Sequence, residues 1–322
     1  MTSSKWLAVL VAAVTLVIGV AACGSSDDET AGGSGGGGDL SGSIRIDGSS
    51  TVAPLTEAVA EQFMAENSGV RVTVGTSGTG GGFEKFCASE TDISDASREI
   101  EPEEVEACKE DGVGYKDVHI ATDALTVMIN NENPVSCLTV DQLAAIWGPD
   151  SKIGNWSEIP DVEASYDEEL ALFGPGTDSG TFDYFTESIN GEEGVTRKDY
   201  NNVGEDDNAT VKGVEGSPGG MGYAGFSFYT ENEGSLKALE VDNGKGCVPP
   251  SVETAQDGSY APLARPLFIY VNNASYNDNQ AVAEFTDYYI ANLATIAAGA
   301  AFIPLNEDDY AATQDTLAGI GG

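Results

Sequence analysis

Three times along this chain a short β-rich run leads into a loop of glycine and hydroxyl residues and then into a helical pattern. Ile44-Arg45-Ile46 is followed by Asp47-Gly48-Ser49-Ser50-Thr51, then by a helix with Pro54 in its first turn and Leu55, Ala58, Val59 and Phe63 on one face. Val70-Arg71-Val72-Thr73-Val74 leads to Gly75-Thr76-Ser77-Gly78-Thr79-Gly80-Gly81-Gly82 and an amphipathic turn at Phe83–Phe86. Leu170-Ala171-Leu172-Phe173 leads to Gly174-Pro175-Gly176-Thr177-Asp178-Ser179-Gly180-Thr181 and a helix through Phe182, Phe185 and Ile189.

A helix start leaves its first N–H groups without intrahelical partners and carries partial positive charge, so it suits an anion. Glycine lets the backbone approach a ligand, and Ser and Thr hydroxyls rotate to add donors. Three such loops that converge would surround a tetrahedral oxyanion without a basic patch. The simpler reading is that each Ser or Thr only caps its own helix. Between the second and third loops lies Asp92-Ile93-Ser94-Asp95-Ala96-Ser97-Arg98. The planar fork of Arg98 suits an oxyanion. Asp95 suits one only if the anion brings a proton to donate, which separates hydrogen phosphate from sulfate. The competing reading of Asp95 and Arg98 is a local salt bridge or a helix cap.

Charge excludes one class of partner. The 322 residues carry 14 Lys+Arg against 53 Asp+Glu, formally −39, and lack the basic stripe that nucleic-acid binding needs. With 41% hydrophobic residues the chain is nonetheless no disordered polyanion. The single histidine, His119, sits where a strand is expected and reads as structural.

Residues 1–22 read as a signal peptide, with Lys5 before an apolar stretch from Trp6 to Val20 and Val20-Ala21-Ala22 before Cys23. This resembles a bacterial lipobox, which implies a lipid on Cys23. Residues 23–42 then form a Gly/Ser-rich tether. The four other cysteines, Cys87, Cys108, Cys137 and Cys247, read as two disulfides in any of three connectivities. The absence of CxxC makes zinc the weaker reading, and no metal or cofactor is expected.

Taken together, Asp47-Gly48-Ser49-Ser50-Thr51, Ser94-Asp95-Ala96-Ser97-Arg98, Gly176-Thr177-Asp178-Ser179-Gly180-Thr181 and Gly220-Met221-Gly222-Tyr223-Ala224 resemble the phosphate-binding proteins of bacterial Pst-type ABC transporters. The resemblance implies an α/β, two-lobed type II periplasmic-binding-protein fold that closes by a hinge over its ligand. Lobe one would comprise 43–124 and 264–322, and lobe two 125–263. Cysteine pairs within lobes are then Cys87–Cys108 and Cys137–Cys247.

Position by position, Ser50 and Thr51 match the first-loop donors, Asp95 the acceptor of the phosphate proton, and Ser179, Gly180 and Thr181 the cradle. Ser77 and Thr79 are the second-loop candidates. Pro175 stands where many relatives have Arg, so Arg98 is expected to supply that charge. The implied partners are inorganic phosphate and the permease and ATPase subunits of a transporter. The implied location is the outer face of the cytoplasmic membrane, held by lipid alone, as a monomer. Sulfate or molybdate binding is the alternative ligand reading. A serine hydrolase is disfavoured because Gly75-Thr76-Ser77-Gly78-Thr79 stops short of the GxSxG elbow, the Ser179 loop does not match it either, no SxxK is present and His119 would have to be the base. A phosphatase is disfavoured because the acidic runs lack His.

Overall fold

The computed structural model describes residues 40–177, 179–204 and 206–320. The signal segment, Cys23 and the tether up to residue 39 lie outside the described residues, as does Asp178 of the third loop.

The first strands are parallel because helices connect them. β1 (Ser41–Gly48) leads through α1 (Ala53–Glu66) to β2 (Gly69–Val74), which leads through α2 (Gly78–Cys87) to β3 (Ile93–Ala96), with β1 lying between the other two. β1 begins inside the stretch expected to be tether, since Ser41 and Gly42 pair with Gly69 and Val70. α2 also begins earlier than its glycine content suggests. A Cβ at Gly82 would stand 2.5 Å from Gly48 Cα, so close packing against the first loop requires glycine and overrides its poor helix propensity.

α3 (Pro102–Glu110) precedes β4 (Tyr115–Asn130), the longest strand. Beyond it come β5 (Cys137–Thr139), α4 (Val140–Trp147), β6 (Ala171–Gly174), α5 (Gly180–Asn190), β7 (Asn201–Asn202), α6 (Asp207–Glu215), β8 (Gly220–Gly225) and α7 (Phe226–Glu231). The small strands β9 (Leu236–Ala238), β10 (Glu240–Asp242) and β11 (Cys247–Val248) follow, then α8 (Val252–Gln256). The chain returns along β12 (Ala264–Asn272) and finishes with α9 (Asn273–Asp278), α10 (Gln280–Gly299) and α11 (Glu307–Ala318).

Among the described residues the main sheet runs β2-β1-β3-β12-β4-β8-β6-β7, with β9 also on β4. The two ends of β4 have different neighbours. Tyr115–Ala124 pair with β12, whereas Leu125–Asn130 pair with β8 and β9. One core accordingly gathers Ile44, Leu55, Phe63, Ile120, Ile269, Phe285 and Leu293. A second gathers Leu125, Ile129, Trp147, Trp156, Phe185, Tyr223 and Leu263. In the second core Phe185 stacks on Tyr223 at 3.7 Å, and Trp147 meets both rings edge-on.

Both disulfides take the expected pairing. Cys87–Cys108 joins the end of α2 to α3, and Cys137–Cys247 joins β5 to β11. Trp156 is fully buried and donates Nε1–H to Gly219 O, a packing role. His119 Nε2 lies 3.0 Å from Ala121 O, and burial lowers its pKa. Among the described residues no helix is long and apolar enough to cross a membrane.

Candidate anion-binding site

The three recurrent loops meet at one cavity of about 560 Å³. Ser49, Ser50 and Thr51 of the first loop and Thr76, Ser77, Gly78, Thr79 and Gly80 of the second form one side, with Ser97 and Arg98 beyond the end of β3. Gly180, Asp183, Tyr184 and Glu187 of α5, together with Glu193, form the other. Arg265, at the start of β12, completes the wall.

Backbone contacts lock the first loop onto the end of β3. Gly48 has φ +144°, and a Cβ there would fall 2.1 Å from Asp95 O, while Ser49 N donates to that same oxygen at 2.9 Å. The side that holds α5 comes close too: a methyl on Gly180 would lie 3.5 Å from Thr51 Oγ1 and 3.7 Å from Ser50 Oγ.

Helix capping separates the two readings of the hydroxyls. Among the described residues, the N-cap positions Val52 of α1, Ser77 of α2 and Ser179 of α5 make no side-chain capping bond. Thr139, Ser251, Asn272, Asn279 and Asn306, which start α4, α8, α9, α10 and α11, all do. α6 and α7 also lack such a bond, but neither adjoins the cavity. The starts of α2 and α5 thus keep first-turn N–H groups that no side-chain cap takes up, with partial positive charge, whereas at α1 the N–H groups of Ala53 and Leu55 are taken by Ser49 O and Val52 O and Pro54 has none.

Second-loop hydroxyls are committed to Ser97 and to a carboxylate. Ser77 donates both N–H and Oγ–H to Asp47 Oδ1, at 3.0 and 2.5 Å, and Lys85 Nζ donates to Asp47 Oδ2 at 2.6 Å. Partial burial opposes ionisation of Asp47, but the bonds from Lys85 and Ser77 prevail and lower its pKa. The Ser77 proton is therefore directed away from the cavity. Thr79 Oγ1 lies 3.1 Å from Ser97 Oγ and accepts from Ser97 N–H at 3.3 Å.

Of the expected residues, Ser50, Thr51, Ser77, Thr79, Arg98 and Gly180 line the cavity. Ser179 and Thr181 flank Gly180 without lining it. The structure does not bring Asp95 there. Its side chain is fully buried behind the first loop, where Thr56 of α1 donates to Oδ1 at 3.0 Å, and Oδ2 has no partner among the described residues. Burial pushes its pKa up to about 8. Ser97, two residues on and past the end of the strand, takes the place at the wall.

Arg98 is held by its neighbours. Nη1 and Nη2 donate to the two oxygens of Glu104 at 2.8 Å each, Nη1 also reaches Glu99 O at 3.0 Å, and Nε lies 3.4 Å from Glu101. The Glu104 bonds raise its pKa. Sequence reading missed Arg265, whose Nη2 donates to Thr51 Oγ1 at 2.8 Å and whose guanidinium lies 3.5 Å from the centre of the Tyr184 ring. The available signal was its setting in Ala264-Arg265-Pro266, at a point where the chain was expected to cross between lobes.

Two cores joined through β4 and β12, with a hydroxyl-lined cleft between them, define the class of two-lobed periplasmic binding proteins. The PBP superfamily domain matches residues 32–292. The chain is 48% identical over 276 residues to Protein SphX of Synechococcus elongatus, spanning 84% of this chain and 80% of that one. It is 38% identical over 284 residues to the phosphate-binding protein PstS of Staphylococcus saprophyticus, spanning 87% and 86%. The crystal structure of a possible phosphate binding protein from Planctomyces limnophilus matches with a TM-score of 0.83 at 42% identity, covering 87% of this chain and 99% of that one. The chain belongs to the PstS family of phosphate-binding proteins.

Proposed function

We propose that this chain captures inorganic phosphate, as hydrogen phosphate, in the cleft and delivers it to the permease and ATPase subunits of an ABC transporter. The observation that carries this reading is the convergence on one cavity of the three glycine- and hydroxyl-bearing segments that lead into α1, α2 and α5: Ser50 and Thr51, Ser77 to Gly80, and Gly180. Ser50 and Thr51 donate from one side. Backbone N–H groups at Gly180 and Thr181 donate from the other, with Ser179 contributing its hydroxyl because its N–H is taken by Gly176 O, and Thr79 and Ser97 close the site. Asp95 has no ligand contact in this reading; an acceptor for the phosphate proton would come from the wall carboxylates Asp183, Glu187 and Glu193.

Residues 43–124 with 264–322 form one lobe and 125–263 the other, which the membership of the two cores supports. Closure over a ligand held from both lobes is then a shift between populations of open and closed protein. The chain is placed outside the cytoplasmic membrane, as a monomer held by a lipid on Cys23. The lipobox-like sequence before that cysteine and the two disulfides support this location.

Calorimetric titration of the purified chain with phosphate and with sulfate tests the ligand. Phosphate is expected to bind at micromolar concentration or below, and sulfate far more weakly. Equal affinities would reduce the reading to an unspecified oxyanion. Loss of incorporated radiolabelled palmitate in Cys23→Ala tests the anchor.

A further inference from the structure

The cleft contains two guanidinium groups, and their surroundings differ. The positive charge of Arg98 is matched by Glu104 through two 2.8 Å bonds and by Glu101 nearby. At a ligand such a group is a neutral pair rather than a cation. Arg265 has a weaker counter-ion. Asp123 Oδ2 pairs with Nε at 3.4 Å, longer than the 2.8 Å bonds of Glu104, and that buried Nε makes no hydrogen bond among the described residues.

We propose that Arg265, rather than Arg98, supplies the charge that holds the oxyanion, and that it also orients the Thr51 hydroxyl as a donor. This rests on the phosphate reading above and deepens it. Thr51 Oγ1 accepts from Arg265 Nη2, so its own proton must point elsewhere, and accepting a charged bond strengthens it as a donor. Gly180 stands opposite, close enough that a methyl group there would be 3.5 Å from the same oxygen. The direction left to the Thr51 proton is thus the gap between the first loop and the start of α5.

Tyr184 fixes the plane of the guanidinium. Its ring lies 3.5 Å from Arg265 Cζ, and its hydroxyl donates to Pro262 O at 2.9 Å, just before β12. Arg265 therefore touches the first loop through Thr51 and the third-loop helix through Tyr184. A planar fork is required for this, so lysine should substitute poorly.

The test is phosphate titration calorimetry on the purified full chain, with thermal unfolding recorded for each variant without phosphate. Arg265→Met is expected to lose at least roughly thirtyfold in affinity and Arg265→Lys about tenfold, while Arg98→Met loses less than either. A folded Arg265→Met that binds as wild type does, or Arg98→Met losing more than Arg265→Met, overturns the proposal. If Arg265→Met fails to fold, Arg265→Lys decides: affinity within about twofold of wild type overturns the planar role, and a tenfold loss upholds it. Should wild type bind sulfate or molybdate instead of phosphate, the phosphate reading falls and the same series is scored with that anion. A wild-type chain that binds no tetrahedral oxyanion removes both readings.

Discussion

Arg265 and Asp123 are register partners on β12 and β4, the two adjacent strands through which the halves of the molecule are joined, with Nε 3.4 Å from Oδ2. Burial raises the Asp123 pKa, and the nearby Arg265 charge works against that rise. Tyr184 and Thr51 hold Arg265 independently of Asp123. Asp123→Asn should therefore leave the guanidinium in place while removing its counter-ion. Phosphate affinity is expected to tighten on the order of fivefold at low ionic strength, with less gain at high salt. Calorimetry at two salt concentrations checks this, and a weaker affinity would show that Asp123 positions the arginine.

Asp95 should give the fold a pH dependence. Near its ordinary carboxylate value of 3.8 and below, folded and unfolded chains both bind the proton. From there to about 8 the unfolded chain releases it and the folded chain keeps it, so this group's contribution to stability falls as pH rises, then levels off. The slope is at most about 1.4 kcal/mol per pH unit. Asp95→Asn removes it and should be more stable than wild type at pH 7. Urea midpoints from pH 5 to 8 decide the matter; parallel curves for the two proteins would place the carboxylate in contact with water.

Gly48→Ala places a methyl where Asp95 O stands, at a backbone angle that side chains rarely adopt. A loss of about 3 kcal/mol is expected from strain and overpacking together. Phosphate affinity should drop with it, since the first loop must move. An unchanged melting temperature would mean that β3 yields freely.

The two disulfides should differ in worth because they close loops of different length, with sequence separations of 21 and 110. On the chain-entropy account, replacing Cys87 and Cys108 by Ser costs roughly 3 kcal/mol, and replacing Cys137 and Cys247 roughly 5 kcal/mol. Guanidinium unfolding of the two double variants measures the order, and a reversed order would assign the difference to native-state contacts.

Electrostatics should slow association. Asp183, Glu187 and Glu193 line the cavity of a chain with a formal charge of −39. Recognition through helix starts acts at short range, whereas repulsion of the incoming anion is screened beyond ~8–10 Å at physiological salt. Stopped-flow phosphate binding should accelerate as salt is added from low ionic strength, and slowing would contradict this.

The loops were legible in sequence because they need particular residue types: glycine for close approach and hydroxyls for donors. Their convergence, the α/β class and the disulfide pairs followed from the family resemblance. The Gly78–Gly82 stretch was misread as loop because helix propensity cannot register that tight packing against Gly48 demands glycine. Asp95 is expected at the ligand both from charge chemistry and from the family resemblance, but its strand position turns the side chain toward Thr56 of α1. Arg265 follows the ligand loops by more than eighty residues in sequence, and only the pairing of β12 with β4 and β3 brings it to Thr51.

The single sheet running through both cores makes the joint between them a pair of neighbouring backbone ribbons instead of a sliding surface. Relative motion of the cores has few torsions in which to reside, near Thr122–Leu125 and Leu263–Arg265, where β4 exchanges its β12 partner for β8. In the closure proposed above the molecule would act as a flexure, with residues along those two ribbons setting its stiffness. Substitutions there should tune how firmly the cleft holds its contents even where they never face it.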